Sequence, residues 1–359
     1  MPKPHHYGLI LAGGRGTRFW PRSRRQHAKQ VLNVFGDQSL IQGTVKRLAP
    51  LIPHERLWVL TNEFLRDEIV RQLPQIPARQ ILAEPAQRNT APAIGLAAHV
   101  LHSLDPDAVM GVFPSDHVIA NEGRYRQLLR PAFRAAADGS MAVLGIEPRW
   151  PETGYGYIEF PRGTKPGSLS PAAVLKFREK PDLETAKRYV KSGRFFWNAG
   201  MFFWRTDVLL EQLQKHLPKT AAALDSLPPF SDRRFTAKLK QEFPRCEDIS
   251  IDFAVLERAR DVVGMACDNI GWNDVGSWNA VYELLPRDGS GNAGRATLIS
   301  ADSRGNYIDA DGKLVALLGV TDLIVVDTPD ALLIADRNRA QQVGDIVKLL
   351  EQNKLEDLL

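Results

Sequence analysis

The chain lacks the features that mark several common protein classes. Its only cysteines, Cys246 and Cys267, form no CxxC pair. Neither a zinc site nor a thiol redox pair is therefore indicated, and two buried free thiols in a reducing compartment are the expectation. No apolar run approaches the roughly 20 residues of a bilayer-spanning helix. The N-terminal MPKPHHYGLILAGG has too short an apolar segment for a secretory signal, so a cytoplasmic location is expected. A net charge of +4 over 359 residues is too mild to imply a nucleic-acid binder. Internal repeats and low-complexity tracts are missing as well.

What remains is an ordinary globular composition, 44% hydrophobic and 25% charged, with ample material for a core. The length suits one large α/β domain with a smaller unit attached. The short apolar runs Tyr7–Ala12, Leu57–Thr61, Ala108–Phe113 and Met141–Ile146 read as buried strands. Between them, helical spacing predicts helices over Ser39–Leu48, Glu63–Leu73 and Thr90–Leu104, with Ser39 and Thr90 as caps and Pro92 in a first turn, where proline is tolerated. Such alternation predicts a mostly parallel sheet covered on both faces. Pro151–Ala199, rich in Gly, Pro and aromatics, reads as a lid or substrate region. Pro228–Arg245 reads as irregular and charged. From about residue 290, a turn-rich linker (RDGSGNAGR) leads to LVALLGV, LIVVDT and ALLIA, and Gln341–Asn353 closes the chain as an amphipathic helix. The expected division is 1–289 and 290–359, the latter a small β-rich domain.

Charge is distributed unevenly. Residues 1–36 carry Lys3, Arg15, Arg18, Arg22, Arg24, Arg25 and Lys29 and no acid. Within that stretch, Leu11, Ala12, Gly13, Gly14, Arg15, Gly16 and Thr17 follow the first strand directly. Glycines there allow backbone N–H groups to approach phosphates closely. The run is neither a Walker A loop, which needs Gly-Lys-Ser/Thr, nor a GxGxxG fingerprint, since Phe19 stands where the last glycine is required. Arg15, Arg18 and Lys29 beside the loop suit a triphosphate: Lys29 as a point charge, Arg18 as a fork over two oxygens. Taken alone, Arg22, Arg24 and Arg25 read as a solvated face. A nucleic-acid-binding arm is set aside because glycines interrupt the basic run. His5 and His6 find no metal-ligand spacing to join and read as tail residues.

The segments LAGGRGTRFWP (11–21) with Lys29, EPAQRNTAPA (84–93), FPSDH (113–117), GYGYI (154–158), FREKP (177–181), WNAGMF (197–202), SIDFAVLE (250–257) and WNDVGSW (272–278) together resemble the sugar-1-phosphate nucleotidyltransferase family, most closely its mannose-1-phosphate guanylyltransferase branch. They span most of the chain in the family's order. One departure is Pro21-Arg22-Ser23-Arg24, where many members have Leu-Ser after the proline. The resemblance implies a Rossmann-like nucleotidyltransferase core with a small C-terminal β segment and, as the chain stands, no appended isomerase domain. It implies substrates GTP and mannose 1-phosphate, a Mg²⁺ cofactor, no membrane or nucleic-acid partner, and a homodimer. Rival readings are a guanylyltransferase for another sugar 1-phosphate, such as a heptose, and a non-catalytic nucleotide-sugar sensor.

The same resemblance implies roles for single residues. The attacking phosphate is already a nucleophile, so positioning and charge neutralisation suffice, with Arg18, Lys29, Asp116 and Asp274 as catalytic residues. Asp116 and Asp274 are the expected metal ligands, although a lone Asp after a strand is often only a cap or turn. Ser115-Asp116-His117 is not a hydrolase triad, because neighbours in an extended segment point opposite ways. Nucleotide contacts fall to the glycine loop, Ser115, Glu84, Pro85, Arg88, Asn89 and Thr90. Glu84 would accept from the guanine N1–H and N2–H₂ donors; Arg88 and Asn89 either meet O6 or the ribose or simply fix the loop. The sugar phosphate falls to His117, Gly154, Tyr155, Glu179, Lys180, Asn198, Ser250 and Asp252, with helix capping an equal alternative for Asp252. Trp197, Phe202 and Phe203 read as core.

Overall fold

The computed structural model describes residues 5–359; Lys3 lies outside them. The first half of the chain builds strands β1 (His6–Leu11), β2 (Leu57–Asn62), β3 (Ile81–Glu84) and β4 (Val109–Pro114), linked through helices α1 (Leu40–Leu48), α2 (Arg66–Gln72) and α3 (Thr90–Leu104). The four strands pair in parallel in the order β3-β2-β1-β4. The chain steps outward from β1 to β3, then returns to the other side of β1. That reversal opens a crevice beyond the carboxyl ends of β1 and β4, where such sheets bind ligands. Leu9 and Ile10 point to opposite faces and both are fully buried, as a sheet covered on both sides requires. Ser39 caps α1 through a reciprocal pair with Gln42. The cap of α3 is Asn89 rather than the expected Thr90. Asn89 takes φ 63° and its Oδ1 accepts from the Thr90 N–H, while the Thr90 hydroxyl accepts from Ile251 N–H.

The second half extends the same sheet. β5 (Val118–Ile119), α4 (Glu122–Ala137), β6 (Met141–Ile146), β7 (Tyr157–Glu159), β8 (Ala172–Ala173) and β9 (Lys176–Arg178) precede α5 (Leu183–Ser192) and the long strand β10 (Phe195–Arg205). Helices α6 (Thr206–His216), α7 (Pro218–Asp225) and α8 (Phe235–Glu242), strands β11 (Val262–Cys267) and β12 (Trp272–Asn273), and α9 (Trp278–Leu284) follow. Residues 151–199 include a helix beside their short extended segments: Asp182 caps α5 by accepting from Thr185 N–H at 2.8 Å, and Gly193 closes it at φ 66°. One expectation is corrected here: residues 228–245 are not irregular throughout but contain α8, which buries Phe235 and Leu239. β10 enters the sheet antiparallel between β4 and β6.

The C-terminal part is a four-stranded sheet, β13 (Ala293–Ala301), β14 (Tyr307–Leu318), β15 (Leu323–Asp327) and β16 (Leu332–Asp336), followed by α10 (Val343–Gln352). β13 occupies part of the stretch expected to be a linker. Its first residues pair with β14, and the turn before it is tied by Asp288, which accepts from Asn292. Cys246 and Cys267 are buried and free, as expected. His5 and His6 are not tail residues: His6 opens β1 and stacks on Phe133, and His5 Nδ1 meets Asp105 Oδ2 at 2.7 Å. His5, Asp105 and Asp107 form a small cluster at the amino ends of β1 and β4, the opposite edge from the crevice. No helix among the described residues is long and apolar enough to cross a membrane.

Candidate active site

The glycine loop is held from behind. The Ala12 carbonyl accepts from Thr61 Oγ1 (2.9 Å) and Gln30 Nε2 (2.7 Å), the Gly13 carbonyl from Asn62 Nδ2, the Gly14 carbonyl from Gln30 Nε2, and the Arg15 carbonyl from Ser23 Oγ. With those carbonyls fixed, no protein acceptor among the described residues meets the N–H groups of Gly13, Gly14, Arg15 and Gly16. They line a cavity of about 490 Å³ together with Lys29, Glu84, Asn89, Thr90, Ser115 and Asp116. That array suits phosphate oxygens. Gly16 sits at φ 62°, and a Cβ there would come within 2.7 Å of Lys29 Cβ and 2.8 Å of its backbone N. Gly16→Ala should therefore cost about 1–3 kcal/mol of stability and displace Lys29. Thermal melts and nucleotide titration check this, and an unchanged melting point with unchanged affinity would contradict it.

Lys29 is 6% exposed. Its Nζ donates to Asp116 Oδ2 and to the Asp274 carbonyl, each at 2.7 Å. Asp116 follows β4, and Asp274 follows β12. β12 pairs antiparallel with β5, Asn273 opposite Val118, and this two-residue ladder draws the distant acids to one place. Tyr155, its ring edge-on to Trp197 and Trp272, donates its hydroxyl to Asp274 Oδ1 at 2.6 Å. Burial raises the Asp116 carboxyl, but the Lys29 ammonium and His117 outweigh it and hold the group below the usual range. His117 is the next residue and is half-buried. Burial drives its imidazole down to about 4 despite both aspartates, so Nδ1 is free to accept the Trp272 indole N–H at 3.2 Å.

A second cavity, of about 320 Å³, adjoins the first and shares Leu11 and Thr90 with it. Gly154, Tyr155, Glu179, Lys180, Asn198, Asp252, His117 and Asp274 line it. Asn198 arrives because β10 runs antiparallel: its end pairs with β4 (Phe202 opposite Val112), so its start lies beyond the carboxyl end of β4. A bulge between Asn198 and Phe202 turns the strand, and Asn198 Oδ1 accepts from Gly200 N–H, itself at φ 64°. Asn198 Nδ2 holds Asp252 Oδ1 at 2.9 Å. Burial, with Glu179 beside it, pushes the Asp252 carboxyl up to about 7. Burial also raises Glu179, whose Oε2 is buried without a protein partner. An orphaned acceptor in a polar cavity suits a hydroxyl donor.

Other expected contacts lie elsewhere. Arg88 is turned away and donates to the Pro244 carbonyl from Nε and Nη2, so it fixes the loop. Ser250 accepts from Phe253 N–H as a turn cap and does not line either cavity. Arg18 donates to Gln341 and Arg15 pairs with Glu351. Arg22 and Arg24 are not a solvated face but pair with Asp309 and Asp330, whereas Arg25 is exposed, as expected, and pairs with Glu356 in solvent. Pro85 lines a neighbouring cavity with Glu84. Gln30, Thr61, Asn62 and Ser23, which anchor the loop, were not expected; Thr61 and Asn62 show only as polar residues closing the apolar run of β2, and Gln30 and Ser23, set in a basic stretch, leave no signal.

Residues 7–290 match the family model described as nucleotidyl transferase, and residues 296–350 match that of the MannoseP isomerase/GMP-like beta-helix domain. The chain is 40% identical over 352 residues to a mannose-1-phosphate guanylyltransferase of Escherichia coli, covering 96% of this chain and 74% of that one. It is 42% identical over 357 residues to the mannose-1-phosphate guanylyltransferase ManC of Salmonella typhimurium, covering 96% and 73%. Among solved structures, one described as a mannose-1-phosphate geranyltransferase from Thermus thermophilus superposes with a TM-score of 0.84 at 32% identity, over 97% of this chain and 99% of that one. With a parallel sheet that opens on a glycine loop, a lysine bound to two distant aspartates, and these matches, the chain belongs to the nucleotidyl transferase family and is an enzyme of that class.

Proposed function

We propose that the protein transfers GMP from GTP to α-D-mannose 1-phosphate, giving GDP-mannose and pyrophosphate. The observation that carries this reading is the junction of the two cavities at Lys29, which binds Asp116 of one and Asp274 of the other. A triphosphate fits the cavity with free loop N–H groups, and a phosphorylated sugar fits the one with the orphaned Glu179 acceptor. The guanine and mannose assignments rest on the relatives' names. A sugar-phosphate oxygen attacks the α-phosphorus; that O–P bond forms as the bond to the β-phosphate oxygen breaks. Lys29 neutralises charge where the two anions meet, and the loop N–H groups hold the leaving pyrophosphate.

Asp116 and Asp274 suit a divalent cation. One oxygen of each is held by Lys29 and Tyr155 respectively, and the second is free of side-chain donors among the described residues. When bound, Mg²⁺ would screen the phosphate charge. Cytoplasmic action as a homodimer accompanies this reading. The deciding measurement is pyrophosphate release from GTP, ATP, UTP and CTP against mannose, glucose and heptose 1-phosphates. Fastest release from GTP with mannose 1-phosphate is expected. Faster release with the heptose phosphate would move the substrate assignment, and release with none would end it.

A further inference from the structure

The arginines that interrupt and follow the glycine loop all reach the C-terminal domain. Arg15 meets Glu351, Arg18 meets Gln341, Arg22 meets Asp309, Arg24 meets Asp330 and Arg25 meets Glu356. Beneath them runs an apolar seam. Phe19 and Trp20 pack with Trp278, Tyr307, Val343 and Val347, and Trp20 Nε1 donates to the Leu358 carbonyl at 3.0 Å. α10 comes close enough that a Cβ at Gly344 would lie 3.4 Å from Thr17 Oγ1.

These contacts fall into two kinds. Arg22 grips Asp309 as a fork, Nε to Oδ2 at 3.0 Å and Nη2 to Oδ1 at 2.7 Å, and Asp309 is 3% exposed. A fork over a buried carboxylate is fixed, because breaking it strands the Asp309 charge. The Arg15–Glu351 pair is open to solvent, its side chains 44% and 37% exposed. Such exposed pairs shift an equilibrium by only a few-fold. Arg15 also lines the cavity that holds the free loop N–H groups, and Glu351 lines the adjoining one with Glu84.

We propose that the C-terminal domain is a working part of the nucleotide site: Asp309, through Arg22, positions the glycine loop, while Glu351 and Gln341 hold Arg15 and Arg18 until a triphosphate draws them away. This rests on the reading of a nucleoside triphosphate at the loop. A polyphosphate offers Arg15 several charged acceptors in place of one exposed carboxylate, so the exchange is favourable. Glu351 competes with the ligand for Arg15, whereas Asp309 assists the ligand by keeping the loop in place. The two acids therefore act in opposite directions, which a purely structural tether would not do.

The test is GTP titration into the full-length protein by calorimetry without sugar phosphate, together with KM for each substrate. Glu351→Gln and Gln341→Ala should tighten GTP by roughly three-fold, and Asp309→Asn should weaken it by roughly ten-fold or more. The KM for mannose 1-phosphate should stay put in all three. Weaker or unchanged GTP binding in Glu351→Gln and Gln341→Ala overturns the proposal, and those two variants decide it even if Asp309→Asn does not fold. Absence of GTP binding in the unsubstituted protein would instead remove the functional reading on which it rests.

Discussion

Asp274→Asn should lower turnover on the order of a thousand-fold while leaving the fold intact. The substitution keeps the shape of the side chain. Asn273, Val275 and the β5–β12 ladder do not depend on its charge: Val275 N–H is held by Asn273 Oδ1 at 2.7 Å, and the ladder is backbone pairing. Lys29 would keep its bond to residue 274, because that acceptor is the main-chain carbonyl. What disappears is one of the two carboxylates that face the junction of the cavities. The loss should therefore fall on kcat and on the magnesium requirement, with a melting point close to that of the unsubstituted protein. Tyr155→Phe is the graded companion. It removes the 2.6 Å hydroxyl contact to Asp274 Oδ1 and keeps the ring between Trp197 and Trp272, so a loss on the order of ten-fold is expected. Full magnesium-dependent turnover in Asp274→Asn, measured by pyrophosphate release, would show that the aspartate pair is not where the chemistry occurs.

Much of this site could be read along the chain because it lies in contiguous motifs. The loop at 11–17 follows the plain apolar run of β1 and Asp116 that of β4, so three of the four parallel core strands, β1, β2 and β4, come from the same alternation; the four-residue β3 does not stand out, and Lys29 and Glu84 are marked only by their motifs. Less was legible where short or irregular pairing does the work. β5 and β12 are two residues each, too short for any periodicity, yet their ladder is what joins Asp274 to Asp116. β10 buries both faces and carries a bulge, so FFWNAGMFFWR shows no alternation, and its antiparallel entry does not show in composition. The arginines were legible as charge but not as partners. Asp309, Asp330, Glu351 and Glu356 come from a different part of the sequence, and only the seam around Trp278 and Tyr307 brings them within reach. Arg88 shows the reverse: its motif suggests a ligand contact, and the irregular chain around Pro244 claims it instead.

Glu84→Gln should collapse the preference for GTP over ATP by roughly ten- to a hundred-fold and remove a pH dependence of stability. Glu84 ends β3, is 9% exposed, and its Oε2 has no protein partner. A Cβ on Gly13 would come within 2.8 Å of its Oε1, so glycine at 13 is what admits the carboxyl to the loop. It lines both the loop cavity and the adjoining one. Burial pushes this carboxyl from 4.5 up to about 8. Since the folded value is raised, the folded protein keeps a proton that the unfolded chain has released between those limits. Stability from this group is full below about 4.5 and is lost as pH rises towards 8. Denaturant titrations from pH 5 to 8 should show a fall on the order of a few kcal/mol that Glu84→Gln lacks. The guanine N1–H and N2–H₂ donors favour the ionised carboxylate, so GTP binding should release a proton and tighten over the same range. Adenine sets a single donor, N6–H₂, beside the acceptor N1, an edge that pairs with a protonated carboxyl and so gains less from ionisation. Equal slopes for GTP and ATP against pH, or an unchanged slope in Glu84→Gln, would assign base choice to other residues.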